Sequence, residues 1–377
     1  MNALATPSTA FASAHASLLA LRDDLRSNLY EREREIDSML LALIARRHVF
    51  LLGEPGVGKS ALANALSTAI GGVYVSKLLS KLSTYEDVFG GLKVSGIMED
   101  RYERISDGYA QSATVLFLDE IWKCNGAVLN SMLTILNERF FDDSGRRYST
   151  PLDVCFAASN ELPEDASLAA LYDRFLFRHE VVALRDRRNR AKLLAGHKIN
   201  VTATLSPDEV ETLRAAADSV DLSPVLDLAL DVFDALAREG FVVSDRRQAA
   251  TMKAIRASAV LAGRTVATSA DLLRIADCSW NDPADAPKVR GIVSSVALPR
   301  LGEALELYDA AVEQYSTVNL ATVSPDSISV VSRVNREIKR IAAEVDRLGD
   351  EGEIVEIAAK VRGMQREIAK AIESALY

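Results

Sequence analysis

At 377 residues the chain exceeds what one hydrophobic core ordinarily organises, so two or three domains are expected, and its 49% hydrophobic and 26% charged residues describe a folded rather than a disordered chain. A net charge of −9 speaks against a protein whose main task is to neutralise a nucleic-acid backbone. Cys124, Cys155 and Cys278 follow no CxxC or Cys/His spacing, no apolar run is long enough to span a membrane, and the start lacks a basic-then-apolar export signal; a cytoplasmic, reducing location is expected.

Residues 1–14 are expected to form a flexible start. Helical spacing enters from Phe11 and is carried by Leu18, Leu21, Leu25 and Leu29, and a second helix over 34–46 sets Ile36, Met39, Leu40, Leu43 and Ile44 on one face. The period then changes. His48-Val49-Phe50-Leu51-Leu52 is an unbroken apolar run ending at Gly53, which reads as a strand buried on both faces of a parallel sheet. Similar runs at 73–75, 115–118, 154–158 and 177–182 alternate with helical stretches, so residues 15–184 read as an α/β domain whose ligands sit at the carboxyl ends of the strands. From the cluster Arg185-Asp186-Arg187-Arg188 to about residue 305 the pattern is helical throughout, a second, all-helical domain. Over 306–377, Val334, Ile338, Ile341, Val345 and Leu348 step by four and three, as do Ile354, Ile357, Val361, Met364 and Ile368. With Gly349-Asp350-Glu351-Gly352 between them, the two seams suggest a helical hairpin whose apolar face packs on its own partner helix or on another protein.

Gly53-Glu54-Pro55-Gly56-Val57-Gly58-Lys59-Ser60 matches G-x-x-x-x-G-K-[ST], and it follows a strand and opens a helix from Ala61 to Ile70. Glycines there let backbone N–H groups curl around phosphate, Lys59 supplies charge to the β and γ phosphates, and Ser60 is placed to hold Mg²⁺. Asp119 and Glu120 end the strand Val115-Leu116-Phe117-Leu118, so Asp119 is the candidate to support the metal and Glu120 to polarise the attacking water. Asn160 ends the next strand on the same edge; it either holds the water or serves a turn. Arg174 and Arg246 either pair with Asp173 and Asp245 or answer the charge that develops on a transferring phosphoryl group.

In this order these residues resemble an AAA+ ATPase, within it the MoxR group, and most closely its RavA-like branch. The resemblance is carried by Phe50-Leu51-Leu52-Gly53-Glu54-Pro55-Gly56, Phe117-Leu118-Asp119-Glu120-Ile121-Trp122-Lys123, Ala157-Ala158-Ser159-Asn160-Glu161-Leu162-Pro163, Leu171-Tyr172-Asp173-Arg174 and Arg101-Tyr102-Glu103-Arg104, and it covers about residues 15–300. It implies an α/β AAA+ P-loop sheet of order 5-1-4-3-2, an all-helical lid, and a homo-oligomeric, hexameric ring binding ATP or ADP with Mg²⁺ between subunits. It implies that Asn160 is sensor 1, Arg174 the finger reaching a neighbour's site and Arg246 sensor 2, with Arg178 and Arg247 as second candidates for finger and sensor. Hairpins over 91–105 and 139–152 would face the central pore; the bottom-up reading supports only turns at Gly90, Gly91, Gly96, Gly108 and Gly145.

The implied function is a chaperone-like ATPase that remodels or matures a client protein, with a von Willebrand factor A-domain partner. A helicase-like motor acting on nucleic acid is the alternative, and a scaffold that binds nucleotide but barely hydrolyses it is a third. RavA-like proteins typically carry a longer C-terminal region with a small β-domain, which the hairpin ending at Tyr377 does not match, so the partner stays open.

Overall fold

The computed structural model describes residues 9–98, 102–143, 145–165, 168–318, 328–349 and 352–376. Its elements run α1 (Thr9–Asn28), α2 (Glu33–Ala45), β1 (His48–Leu52), α3 (Lys59–Ile70), β2 (Tyr74–Leu78), α4 (Tyr85–Phe89), α5 (Val94–Ile97), β3 (Val115–Asp119), α6 (Gly126–Glu138), β4 (Phe140–Asp143), β5 (Arg146–Ser149), β6 (Val154–Ser159), α7 (Ala169–Tyr172) and β7 (Phe175–Glu180). Helices follow: α8 (Arg187–Leu194), α9 (Pro207–Asp218), α10 (Leu226–Arg238), α11 (Asp245–Leu261), α12 (Arg274–Ser279), α13 (Ala286–Ala297), α14 (Pro299–Ser316), α15 (Ile328–Leu348) and α16 (Gly352–Leu376).

The main sheet has five parallel strands in the order β2-β3-β6-β1-β7. Counting only these strands, that is the expected order 5-1-4-3-2. Strand β1, between β6 and β7, is buried along its whole length, and alternate residues serve opposite faces. Phe50 and Leu52 join a core with Leu129, Met132 and Ile135 of α6, while α2 packs on β1 and β7. The β1–β6 register, Leu52 against Ser159, brings the strand ends that carry Gly53 and Asn160 side by side.

Several boundaries differ from the sequence reading. Helix α1 is already formed at Thr9, inside the stretch expected to be flexible; residues 1–8 lie outside the described residues. Strand β2 runs to Leu78 rather than stopping at 75, and β7 begins two residues early at Phe175. The second expected hairpin is present, β4 pairing antiparallel with β5. The first is not a strand hairpin: Leu92 and Arg104 share one antiparallel bridge and the short α5 lies between them, with residues 99–101 outside the described set.

The chain groups into two compact units, residues up to Leu226 with Val243–Ala286, and Asp227–Val242 with the chain from Pro287 onward. These units are drawn differently from the expected division at 184: α8, α9, α11 and α12 group with the sheet, α9 and α11 packing on α2 and α12 on β7. In the second unit α14 crosses residue 305, where the lid was expected to end, because Pro299 at its first turn starts the helix and nothing interrupts it before Thr317. The C-terminal region is accordingly three packed helices, α14, α15 and α16, rather than a hairpin alone. Val334, Ile338, Ile341 and Val345 of the first seam and Ile354, Ile357, Val361 and Ile368 of the second are buried, so both seams are covered within the chain; residues 350 and 351 of the expected turn lie outside the described set. No described helix is long and apolar enough to cross a membrane.

Candidate functional site

The phosphate loop leaves the carboxyl end of β1. Gly56 and Gly58 lie at φ +82° and +96°, a left-handed curl open to glycine, before α3 starts at Lys59. Gly53 is required for a different reason: a Cβ there would lie 2.3 Å from the carbonyl oxygen of Val181, just past β7. The loop is pinned to its neighbours by Gly53 N donating to Ser159 O at 3.0 Å and Val181 N donating to Leu52 O at 2.7 Å. The N–H groups of Gly56, Val57, Gly58, Lys59 and Ser60 meet no acceptor among the described residues, an array of donors at a helix N-terminus suited to an anion. Lys59 is buried, and its ammonium donates to the carbonyl oxygens of Gly53 and Glu54 in its own loop.

Ser60 Oγ donates to Asp119 Oδ2 at 3.2 Å, joining the first turn of α3 to the end of β3. A hydroxyl and a carboxylate oxygen at this separation are a hard donor pair that leaves positions for water and phosphate oxygens, which fits Mg²⁺. Among the described residues no cluster of three or more His, Cys, Asp or Glu side chains offers a protein-only metal site, and the three cysteines are free and buried. Glu120 stands at φ +54°, a left-handed conformation costing a side-chain-bearing residue on the order of 1 kcal/mol. The sharp turn drops Trp122 into an aromatic cluster with Phe50, Tyr172 and Phe175 and leaves the Glu120 carboxylate 3.2 Å from Lys123 Nζ. Lys123 was quoted in the sequence motif without a role; its place one turn after Glu120 was the available signal. Asn160, exposed, follows Ser159 at the same edge.

The four arginines divide sharply. Arg174 lies in the turn between α7 and β7; its guanidinium makes no hydrogen bond or ion pair among the described residues, and Nε is buried without a partner. Burial, and next the charge of Arg246, lower its pKa, so the two cations stand near each other. Arg246 itself is exposed on the first turn of α11. Among the described residues neither makes a hydrogen bond or ion pair to the phosphate loop.

Arg178 and Arg247, the second candidates for finger and sensor, are instead consumed internally. Arg178 is 1% exposed and donates to Phe175 O at 3.2 Å, Tyr172 O at 3.1 Å, Trp280 O at 2.8 Å and Asn281 Oδ1, its guanidinium 3.6 Å from the Tyr172 ring centroid. Arg247 donates to Asn281 Oδ1 at 2.9 Å and Trp280 O at 3.2 Å and lies 4.0 Å from Asp173. Burial first, and then the Arg247 charge, push the Arg178 pKa down to about 9. Both guanidiniums are thus committed to acceptors inside the chain.

One contact was missed by sequence reasoning altogether: the buried Arg32, between α1 and α2, donates to the carbonyl oxygen of Val57 inside the phosphate loop at 3.1 Å. Nothing in the pattern Tyr30-Glu31-Arg32 signals a partner 25 residues away.

The family model that matches residues 16–219 describes the MoxR domain in the MoxR–vWA–β-propeller ternary systems, and a model of the AAA lid domain matches residues 224–293. An uncharacterised protein of Methanocaldococcus jannaschii is 34% identical over 79% of this chain and 82% of its own length. Protein MoxR of Methylorubrum extorquens is 31% identical over 48% of this chain and 53% of its own. Among solved structures, a candidate ATPase from Cytophaga hutchinsonii superposes with a TM-score of 0.63 at 15% identity, covering 76% of this chain and 95% of that one, a likeness of fold.

Proposed function

This chain belongs to the MoxR family of AAA+ ATPases, and on that premise we propose that it hydrolyses ATP in a ring of copies to remodel or mature a client protein, alongside a von Willebrand factor A-domain partner. The observation that carries this reading is the joining of Ser60 to Asp119 beside loop N–H groups that meet no acceptor among the described residues, with Glu120 next to it and an Arg174 guanidinium that makes no hydrogen bond or ion pair among them. In this reading the loop N–H groups and Lys59 hold the triphosphate, and Ser60 and Asp119 hold Mg²⁺, which when bound neutralises charge on the phosphates. Glu120 accepts a proton from the attacking water, and Asn160 orients that water. Arg174 meets the charge of a neighbour's phosphoryl group, and Arg246 reports on the nucleotide of its own chain. The named MoxR–vWA–β-propeller systems support the partner; the assignment to the RavA-like branch rests on the sequence motifs alone.

Mixing Arg174→Ala and Lys59→Ala proteins tests the shared site. Each alone should be nearly inactive, and the mixture should regain ATPase activity where an intact loop meets an intact finger. No regain at any ratio would refute a finger acting across an interface. Co-purification with a von Willebrand factor A-domain protein tests the partner, whereas salt-sensitive stimulation of ATPase by DNA would favour the nucleic-acid reading.

A further inference from the structure

The segment between α1 and α2 forms a strut that reaches the phosphate loop from behind. Arg32 Nη2 donates to two carbonyl oxygens, Val57 O in the loop at 3.1 Å and Val182 O, beyond β7, at 2.6 Å, while Nη1 donates to Glu31 O at 2.7 Å. Arg32 is 5% exposed, so the guanidinium is withdrawn from water to make these contacts, and all three hydrogen bonds end on neutral backbone oxygens. Its neighbour Glu31 sits at φ +57° and its carboxylate accepts from the backbone N–H groups of Arg185 (2.7 Å) and Asp186 (3.0 Å) and from the Asn189 side chain (3.1 Å), at the start of α8. Two adjacent side chains thereby hold the phosphate loop, the end of β7 and the entry to α8 as one block.

The Val57 contact matters because of peptide geometry. The carbonyl of Val57 and the N–H of Gly58 belong to one planar trans peptide and point in opposite directions. Holding the carbonyl toward Arg32 therefore fixes the Gly58 N–H on the far side, and that N–H has no acceptor of its own among the described residues. Gly58, at φ +96°, is the residue for which turning over this peptide costs least, since it lacks the Cβ that would oppose it. The loop's glycine gives freedom, and a buried guanidinium removes it.

We infer that Arg32 is a positioning residue for nucleotide phosphate: it selects the peptide orientation at Val57-Gly58 that presents the Gly58 N–H to the bound anion. The inference rests on the proposed nucleotide site. Arg32 touches no phosphate itself and acts through the backbone.

The test uses the full chain as wild type, Arg32→Met and Arg32→Lys, with a fluorescent ADP analogue plus Mg²⁺ for affinity and melting without nucleotide for stability. The loss of one charge-assisted hydrogen bond that orders a phosphate donor predicts Kd for the analogue raised about tenfold in Arg32→Met, and by a smaller factor of at least about threefold in Arg32→Lys, which offers a single donor head in place of the fork. At saturating ATP, kcat should stay within about threefold of wild type, because the loop geometry is restored once nucleotide is bound. If wild type binds the analogue and both variants bind within twofold of it, Arg32 only packs and the inference fails while the nucleotide site stands. If wild type itself does not bind, the nucleotide site fails and the inference with it. Should Arg32→Met not fold, Arg32→Lys decides alone: Kd raised threefold or more supports the strut, and unchanged affinity overturns it.

Discussion

Replacing Arg178 by alanine should damage the fold rather than the chemistry. The guanidinium has four acceptors, but they are not equally dependent on it: Trp280 O and Asn281 Oδ1 keep Arg247 as a donor, while Phe175 O and Tyr172 O lose the donor Arg178 supplies. Two buried carbonyls deprived of a donor cost about 1–3 kcal/mol each, or about 2–6 kcal/mol together. Part of that is offset, because the variant no longer buries a charge beside the Arg247 cation. A net loss of about 3 kcal/mol follows, which in a unit of this size lowers the melting temperature by about 6–12 °C. Arg174→Ala, in contrast, removes a side chain with no hydrogen bond to lose among the described residues and should change stability by no more than about 0.5 kcal/mol, while lowering ATPase activity by a factor of about 10³–10⁵ if it is the finger. Melting curves and steady-state phosphate release on the two variants separate the roles. If Arg178→Ala melts within 2 °C of wild type, loses ATPase activity by about a hundredfold and regains it on mixing with Lys59→Ala, the internal assignment of Arg178 is wrong.

Glu120→Gln should keep nucleotide binding and lose about 10²–10⁴ in turnover, checked by comparing ATP affinity with phosphate release; unchanged turnover would remove Glu120 from the role of base. Gly53→Ala places a methyl 2.3 Å from the Val181 carbonyl oxygen, backbone on both sides, so the loop must shift; both melting temperature and ATP affinity should fall, and a variant that binds ATP normally would contradict this packing. Burial holds the pKa of His179 down to about 4, against the pull of Asp277 and with help from Arg34 and Arg274. The unfolded chain takes this proton below about pH 6.5, whereas the native one resists until about 4, so stability is complete above pH 6.5 and falls by about 3 kcal/mol as pH drops through that window. His48, lowered in the same direction by burial, adds to the loss. Melting from pH 7.5 to pH 5 should fall more steeply for wild type than for His179→Gln, and parallel curves would mean that His179 already carries its proton in the native state.

Local pattern made the sheet readable. Short runs of three to six residues gave every parallel strand, and the sequence from Gly53 to Ser60, following one of them, gave the loop. Asp119 and Glu120 were legible because a buried strand ends where they begin. The arginines were not, because their sequence surroundings are alike while their burial is decided by residues 33 to 103 positions away. One clue was present: Arg178 lies between Phe177 and His179 inside a strand whose other residues are buried up to Glu180, a register that buries a charge and demands partners. The partners, Trp280 and Asn281, follow α12 and carried no signal of their own. Arg32 was hidden for the same reason, since its acceptors are backbone oxygens and every residue has one.

The pairing of held and free arginines has a physical logic. Arg178 fixes the start of β7 through Phe175 O and Tyr172 O, the residues on either side of the turn that carries Arg174. Arg247 fixes the first turn of α11, which presents Arg246, and its own N–H donates to Ser244 Oγ at the cap. Both held guanidiniums meet at one side chain, Asn281, and one carbonyl, Trp280. A long cationic side chain loses less entropy on reaching a phosphate if its backbone is already fixed. The two buried arginines therefore tie down the backbone that carries the half-buried Arg174 and the exposed Arg246, and through Trp280 and Asn281 they hold the turn bearing Arg174 to the helix bearing Arg246. On the proposed reading of Arg174 as a finger and Arg246 as a sensor in a ring of copies, that common base would let the state of one nucleotide site be felt at the next.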